Sequence, residues 1–164
     1  MKVWSCVFSG DEMVSDSYKF TEVFDGAGLE FKAKYVTKGS DAIAIGDEEL
    51  QDEGPGETVL NIVDAHQLNE LALDKKALMG VVKALMKRTV GHMKENSKSD
   101  DEVKAFQKGA TDLVKFVMGK FDEMQVFCGK SFDTEASICF CWTKDGEEDP
   151  TFLYLPHTMK EEKF

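Results

Sequence analysis

The sequence predicts an α+β fold in which short strands at both ends of the chain flank one inserted antiparallel α-helical hairpin. Three observations carry this expectation. Val, Phe, Tyr and Trp alternate with polar residues over parts of positions 2–37, apolar residues recur at helical spacing over about 74–121, and β-branched and aromatic runs return from Gln125. Strands, then one helix pair, then strands again is the order of an α+β fold rather than of repeated βαβ units.

Taken in order, Lys2 to Phe8, Tyr18 to Asp25 and Leu29 to Thr37 read as strands, with Asp25-Gly26-Ala27-Gly28 as the turn between the last two. The segment Ser9 to Lys19 concentrates acids, hydroxyls and a Tyr where chain economy requires only a turn. From Asp41 to Glu57 the alternation stops. Asp41, Asp47, Glu48, Glu49, Asp52, Glu53 and Glu57 occur there with no base, around Gly46, Gly54, Pro55 and Gly56, which predicts a mobile acidic loop over about 39–57. Thr58 to Ala65 reads as a resumed strand.

The period then changes. Asp74 is the expected N-cap of a helix of about six turns that ends near Ser97, with Leu78, Val81, Val82, Leu85, Met86 and Met93 on its apolar face. A second helix opens at Ser99-Asp100-Asp101-Glu102, where acids favour the positive end of the helix dipole, and is expected to bury Val103, Phe106, Ala110, Leu113, Val117 and Phe121. The short polar link requires an antiparallel hairpin over about 74–121. Gly80, Gly91, Gly109 and Gly119 each cost up to about 1 kcal/mol against Ala in a helix, and either close helix packing or simple tolerance explains them. Strands are expected again at Gln125 to Cys128, Ser137 to Thr143 and Thr151 to Leu155, with Lys144-Asp145-Gly146-Glu147 turning between the last two.

One domain over residues 1–164 is expected, a length that buries roughly 70% of the surface of the unfolded chain. Hydrophobic content of 42% beside 31% charged residues suits a folded chain. No apolar run approaches the roughly 20 residues a membrane span needs, and Met1-Lys2-Val3-Trp4-Ser5 lacks a signal-peptide core, so a cytoplasmic protein without membrane insertion is expected. A net charge of −11 repels phosphate backbones and disfavours nucleic acid as a partner. Cys6, Cys128, Cys139 and Cys141 include no Cys-x-x-Cys pair and read as buried reduced thiols rather than zinc ligands.

Asp11, Glu12 and Asp16, beside Ser9, Ser15 and Ser17, suit either turn capping or a carboxylate site. Asp41 to Gly46 superficially matches the start of a calcium loop. Ile43 and Ile45 stand where oxygen ligands are required, which excludes an EF-hand. Clustered carboxylates at Asp47, Glu48, Asp52 and Glu53 are candidates for weak Ca²⁺ binding, the other reading being a solvated acidic loop. Lys83, Lys87, Arg88 and Lys94 belong to a basic first helix, which is either solvated surface or a dock for an acidic partner. No phosphate loop, Gly-x-Ser-x-Gly elbow or His-Glu-x-x-His is present. His66, beside Asp64, could pair with Cys128 only if the fold joined them, and a thiol enzyme would need one exposed, low-pKa cysteine among Cys128, Cys139 and Cys141.

Residues 11–20, Asp-Glu-Met-Val-Ser-Asp-Ser-Tyr-Lys-Phe, resemble the N-terminal segment of the translationally controlled tumour protein family, and Glu102 to Ala110 resembles its second helix. The resemblance implies a tent of short curled β-sheets carrying the helical hairpin, a fold shared with a zinc-binding Rab exchange factor whose zinc cysteines are not matched here. It further implies a non-enzymatic, calcium-binding regulator of growth and survival that needs no cofactor and contacts small GTPases, microtubules and apoptosis regulators. By position in Asp-Glu-Met, Glu12 is the residue expected to engage a Rheb-type GTPase, with Asp11 and Asp16 beside it. The family's tubulin-binding region includes the hairpin, which makes Lys83, Lys87, Arg88 and Lys94 the expected docking residues.

The chain departs from the family in three places. The Asn-Pro-Ser signature is absent from the acidic loop. Phe127-Cys128-Gly129 fits the second signature, but Lys130 stands where an acid is expected. The family's disulfide-linked dimer uses a terminal cysteine, whereas this chain ends Lys163-Phe164, so a monomer is expected. A divergent calcium buffer or chaperone-like protein without GTPase contact is the alternative reading, and a cysteine-dependent enzyme a further one.

Overall fold

The computed structural model describes residues 1–37 and 58–163. The acidic segment expected over about 39–57, with the candidate ligands Asp47, Glu48, Asp52 and Glu53, lies outside the described residues. Strands β1 (Lys2–Cys6), β2 (Glu12–Ser15), β3 (Phe20–Val23), β4 (Gly28–Lys32) and β5 (Tyr35–Thr37) come first, followed by β6 (Thr58–Leu60), helix α1 (Asn61–His66) and β7 (Asn69–Leu71). The hairpin helices α2 (Lys75–Glu95) and α3 (Asp100–Gly119) precede β8 (Gln125–Cys128), β9 (Ile138–Trp142), β10 (Thr151–Tyr154) and β11 (Met159–Lys163). The α+β class and the helical hairpin are therefore observed.

Among the described residues the strands form three sheets, in the orders β11-β1-β2, β3-β4-β10-β9-β8-β7 and β5-β6. The large sheet is the middle layer. On β9, Ile138, Phe140 and Trp142 join the cluster that includes Leu78, Leu85, Phe106 and Leu113 of the helices, while Cys139 and Cys141 join the cluster of Trp4, Met13 and Val14 from the small sheet. A strand covered on both faces reads as a continuous apolar run, which is why Ile-Cys-Phe-Cys-Trp was legible as a strand although it barely alternates.

The hairpin caps match the sequence expectation. Asp74 accepts from the Ala77 amide at 2.7 Å and Ser99 from the Glu102 amide at 3.1 Å. Leu78, Val82, Leu85 and Met93 of α2 and Val103, Phe106, Ala110, Leu113 and Val117 of α3 are buried, whereas Val81 and Met86 are half-buried. Phe121 lies beyond α3, half-buried in the short turn Phe121–Glu123. Gly109 is the helix glycine with a packing reason: a Cβ there would meet Ala27 Cβ and the Phe24 carbonyl oxygen, each at 2.6 Å. The close approach is thus to the Phe24–Gly26 turn, not to α2, and a Cβ at Gly80, Gly91 or Gly119 would meet open space.

Three expected strands need correction. Leu29 to Thr37 is broken at Ala33-Lys34, because the Lys34 amide and carbonyl both bond to Asn61, at 2.9 Å each, and turn the chain into the β5-β6 pair. Tyr18 to Asp25 is strand only over Phe20–Val23, since Phe24 and Asp25 both take φ 53 in a tight turn. Thr58 to Ala65 is strand only to Leu60 and then becomes α1. Asn61 Oδ1 accepts from the Ile62 amide at 2.8 Å, and Gln67 in the left-handed region (φ 54) stops the helix. Helical spacing then buries Ile62 and His66 together, a pattern too short to distinguish from a strand by periodicity.

Candidate functional site

The Asp11-Glu12-Met13 segment enters β2 through a β-bulge. Val14 opposes Trp4 but Glu12 opposes Ser5, which leaves Met13 as the extra residue. Met13 and Val14 are therefore both buried, the Met13 carbonyl accepts from the Tyr154 hydroxyl at 3.1 Å, and Glu12 turns outward with its side chain 55% exposed.

Beneath Glu12 sits His66, the last residue of α1 and only 7% exposed. His66 Nδ1 lies 3.1 Å from Glu12 Oε1, near enough for an ion-pair contact though not aligned as a hydrogen bond. On the other side of the ring, Nε2 is 3.4 Å from the Tyr18 hydroxyl, and the Tyr18 and His66 rings meet edge to face at 5.9 Å. Burial pulls the His66 pKa down, and the attraction of Glu12 only partly offsets it. Burial, and then Glu12, push the Tyr18 pKa up. A protonated phenol and a neutral imidazole thus back an outward carboxylate. This arrangement accepts hydrogen bonds from a cationic or amide-bearing partner and contains no activated nucleophile.

The two neighbouring acids are engaged within the fold. Asp11 Oδ2 accepts from the Ser131 hydroxyl at 2.6 Å and from the Ser131 amide at 3.1 Å, joining the start of β2 to the loop between β8 and β9. Asp16 Oδ1 accepts from the Lys2 amide at 3.1 Å and closes the far end of the β1-β2 pair. Of the three candidate acids, Glu12 alone has its carboxylate free of backbone bonds among the described residues.

The basic residues of α2 also divide. Lys76, Lys83, Lys87 and Lys94 are all exposed, and their spacings of 7, 4 and 7 place them within about 20° of one line, roughly 27 Å long. None of these four lysines forms an ion pair among the described residues. Arg88 faces elsewhere: its guanidinium stacks 4.2 Å from the Phe8 ring centroid and donates to the Glu135 carbonyl at 2.7 Å. It braces the helix against the β1-β2 turn and the β8-β9 loop.

All four cysteines are buried and unpaired by disulfides. Burial pushes the Cys141 thiol up to about 12, that of Cys139 well above the usual 9.0 and that of Cys128 upward. At Cys6 burial acts in the same direction but is outweighed. The amides of Phe8 and Ser9 at 3.3 Å and of Ser137 at 3.4 Å point at the sulfur, and the Ser137 and Ser9 contacts leave its pKa lowered at a site only 2% exposed. The structure gives His66 to Glu12 and Tyr18 rather than to Cys128. Among the described residues no cluster of three or more His, Cys, Asp or Glu side chains could hold a metal ion, and no helix is long and apolar enough to cross a membrane.

The lysine line was readable from helical spacing alone. The pairings of His66 with Glu12, Ser131 with Asp11 and Arg88 with Glu135 join positions far apart in the chain, and no local pattern announces them.

Known proteins agree with the fold in full length. The family profile of translationally controlled tumour protein matches residues 1–160. The chain is 38% identical over 167 residues to "Translationally-controlled tumor protein homolog 1" of Dictyostelium discoideum, covering 96% of this chain and 95% of that protein. It is 35% identical to the homolog of Plasmodium chabaudi chabaudi, with both chains covered completely. Among solved structures, that of the translationally controlled tumor-associated protein p23fyp from Schizosaccharomyces pombe superposes with a TM-score of 0.83 at 31% identity, over 100% of each chain. With an α+β architecture, a helical hairpin and end-to-end similarity of this kind, the chain belongs to the translationally controlled tumour protein family.

Proposed function

We propose that the protein is a cytoplasmic, non-enzymatic regulator of growth and survival that works by docking, with Glu12 as its contact to a Rheb-type small GTPase. One observation carries this reading. Of three acids in the Asp-Glu-Met motif region, Asp11 and Asp16 are used to hold the fold, whereas the bulge in β2 turns Glu12 into solvent over a neutral His66 and Tyr18. An outward carboxylate without a competing Lys or Arg suits the recognition of a Lys or Arg side chain on a partner. Binding at the GTPase switch region would alter nucleotide exchange by displacing switch contacts, with no covalent step.

Two further contacts belong to the reading. The line of Lys76, Lys83, Lys87 and Lys94 supports docking of acidic segments such as tubulin tails, and the acids Asp47, Glu48, Asp52 and Glu53 remain the proposed weak Ca²⁺ ligands.

The test is an amide-shift titration of the isotope-labelled protein with a nucleotide-free Rheb-type GTPase and, separately, with Ca²⁺. The GTPase should shift residues around Glu12 and His66, and Glu12→Lys should abolish those shifts. Shifts from Ca²⁺ alone, with none from the GTPase, would replace the reading by that of a calcium-buffering relative without GTPase contact.

A further inference from the structure

Single exposed apolar side chains are ordinary in folded proteins and need no explanation. Phe132 differs in how much of the fold is used to hold it. The residue is 55% exposed, its ring meets no other aromatic ring among the described residues, and its backbone takes φ 61, a region that bulky side chains rarely adopt. Exposed Phe20, by contrast, packs on Trp4 and Phe31.

The loop carrying Phe132 is tied from three separate elements. Asp11, just before β2, holds Ser131 by both its amide and its hydroxyl. Asn69 of β7 donates to the carbonyls of Gly129 at 2.9 Å and Lys130 at 3.3 Å, and Arg88 of α2 donates to that of Glu135. Within the loop, the Phe132 amide returns to the Gly129 carbonyl at 3.0 Å. Gly129 has no room for a side chain, since a Cβ there would meet Asp11 Oδ2 at 2.5 Å. A loop backbone braced on both flanks loses little conformational freedom when a partner covers it, and aromatics are prominent among the residues that dominate interfaces.

We propose that Phe132 is the apolar anchor of the docking surface whose charged contact is Glu12, and that the partner offers an apolar socket flanked by a basic side chain. This rests on the reading of Glu12 as the GTPase contact and extends it to a second residue, on the loop between β8 and β9. Asp11 links their two segments, because it adjoins Glu12 in the chain and bonds to Ser131, which adjoins Phe132. Charge selects the partner's chemistry. Glu12 carries no Lys or Arg partner among the described residues, and Asp11, Glu12, Asp133 and Glu135 outnumber the two bases at the loop, Lys130 and Arg88, so a basic rim around the socket is complementary and an acidic rim is repelled.

The experiment measures the affinity of the full chain for a nucleotide-free Rheb-type GTPase by calorimetry, for wild type, Glu12→Lys, Phe132→Ala and Phe132→Leu, with thermal unfolding of each. Phe132→Ala should weaken binding by about tenfold or more at an unchanged unfolding temperature, and Phe132→Leu should recover most of the loss. If Glu12→Lys weakens binding and Phe132→Ala does not, the anchor is refuted while the Glu12 reading stands. If wild type does not bind, both fall. A Phe132→Ala variant that unfolds at a clearly lower temperature would show the ring to be packing rather than presented, and would also overturn the proposal.

Discussion

Replacing Gly109 by alanine should destabilise the protein, whereas the same change at Gly80 should stabilise it. Both glycines lie inside helices, so each substitution gains about 1 kcal/mol of helix propensity. At Gly80 nothing opposes the gain, because a Cβ there has no neighbour within 4 Å. At Gly109 the new methyl would stand 2.6 Å from Ala27 Cβ and 2.6 Å from the Phe24 oxygen. The Phe24 oxygen cannot move aside cheaply. It accepts from the Ala27 amide at 3.0 Å in a turn whose Phe24 and Asp25 both hold φ 53. Overpacking of a rigid contact costs about 1–3 kcal/mol, and two contacts this short favour the upper end, which leaves a net loss of about 2 kcal/mol after the propensity gain. For a chain of this size each kcal/mol moves the midpoint by roughly 2–4 °C, so Gly109→Ala should unfold about 4–8 °C lower and Gly80→Ala about 2–4 °C higher than wild type. Thermal unfolding followed by far-UV circular dichroism in one buffer measures both. A Gly109→Ala protein as stable as wild type would refute the tight seating of α3 on the Phe24–Gly26 turn.

Acidification should weaken the fold through the buried His66 and the half-buried His157. Burial lowers the pKa of His66, and burial together with Lys98 lowers that of His157, so the unfolded chain takes up protons below the ordinary value of 6.5 that the folded chain refuses. Stability from these groups is present in full above pH 6.5 and is lost as pH falls through the lowered folded values; urea midpoints that do not decline across that window would contradict it. Glu12→Gln should lower the His66 pKa further, as read from imidazole nitrogen shifts, and an unchanged titration would remove the His66–Glu12 contact. Arg88→Lys should cost about 1 kcal/mol by losing the planar stack on Phe8 and the bond to Glu135, against less than about 0.5 kcal/mol for Lys87→Ala, both by urea unfolding. In microtubule co-sedimentation at low salt, Lys83→Glu with Lys87→Glu should abolish binding and Arg88→Ala should leave it; equal losses would reject the lysine line as the dock. Iodoacetamide at neutral pH should label Cys128, Cys139 and Cys141 only after unfolding, and rapid labelling of any of them in the folded protein would reopen a thiol chemistry.

The sequence determined the parts of this protein whose cause is local. A 3.6-residue apolar period with Asp74 and Ser99 at the helix starts suffices for α2 and α3, because the stripe and its cap lie within one segment. The apolar runs of β8, β9 and β10 were legible for the same reason, as was the Lys144–Glu147 turn with Gly146 at φ 82. What the tertiary structure alone decided depends on partners distant in the chain. Strand β11, Met-Lys-Glu-Glu-Lys, has no strand-like composition and exists because it pairs with β1, from Cys6 against Met159 to Lys2 against Lys163. Strand β7 is three residues held against β8, and β2 hides its alternation behind a bulge that buries Met13 and Val14 in succession. The division of labour among Asp11, Glu12 and Asp16 follows the same rule. All three are carboxylates, and they differ because Ser131 and the Lys2 amide reach two of them and leave the third half-exposed above His66. Periodicity reports which face of a segment is apolar, whereas the role of a polar side chain is set by whichever group the rest of the fold brings within about 3 Å of it.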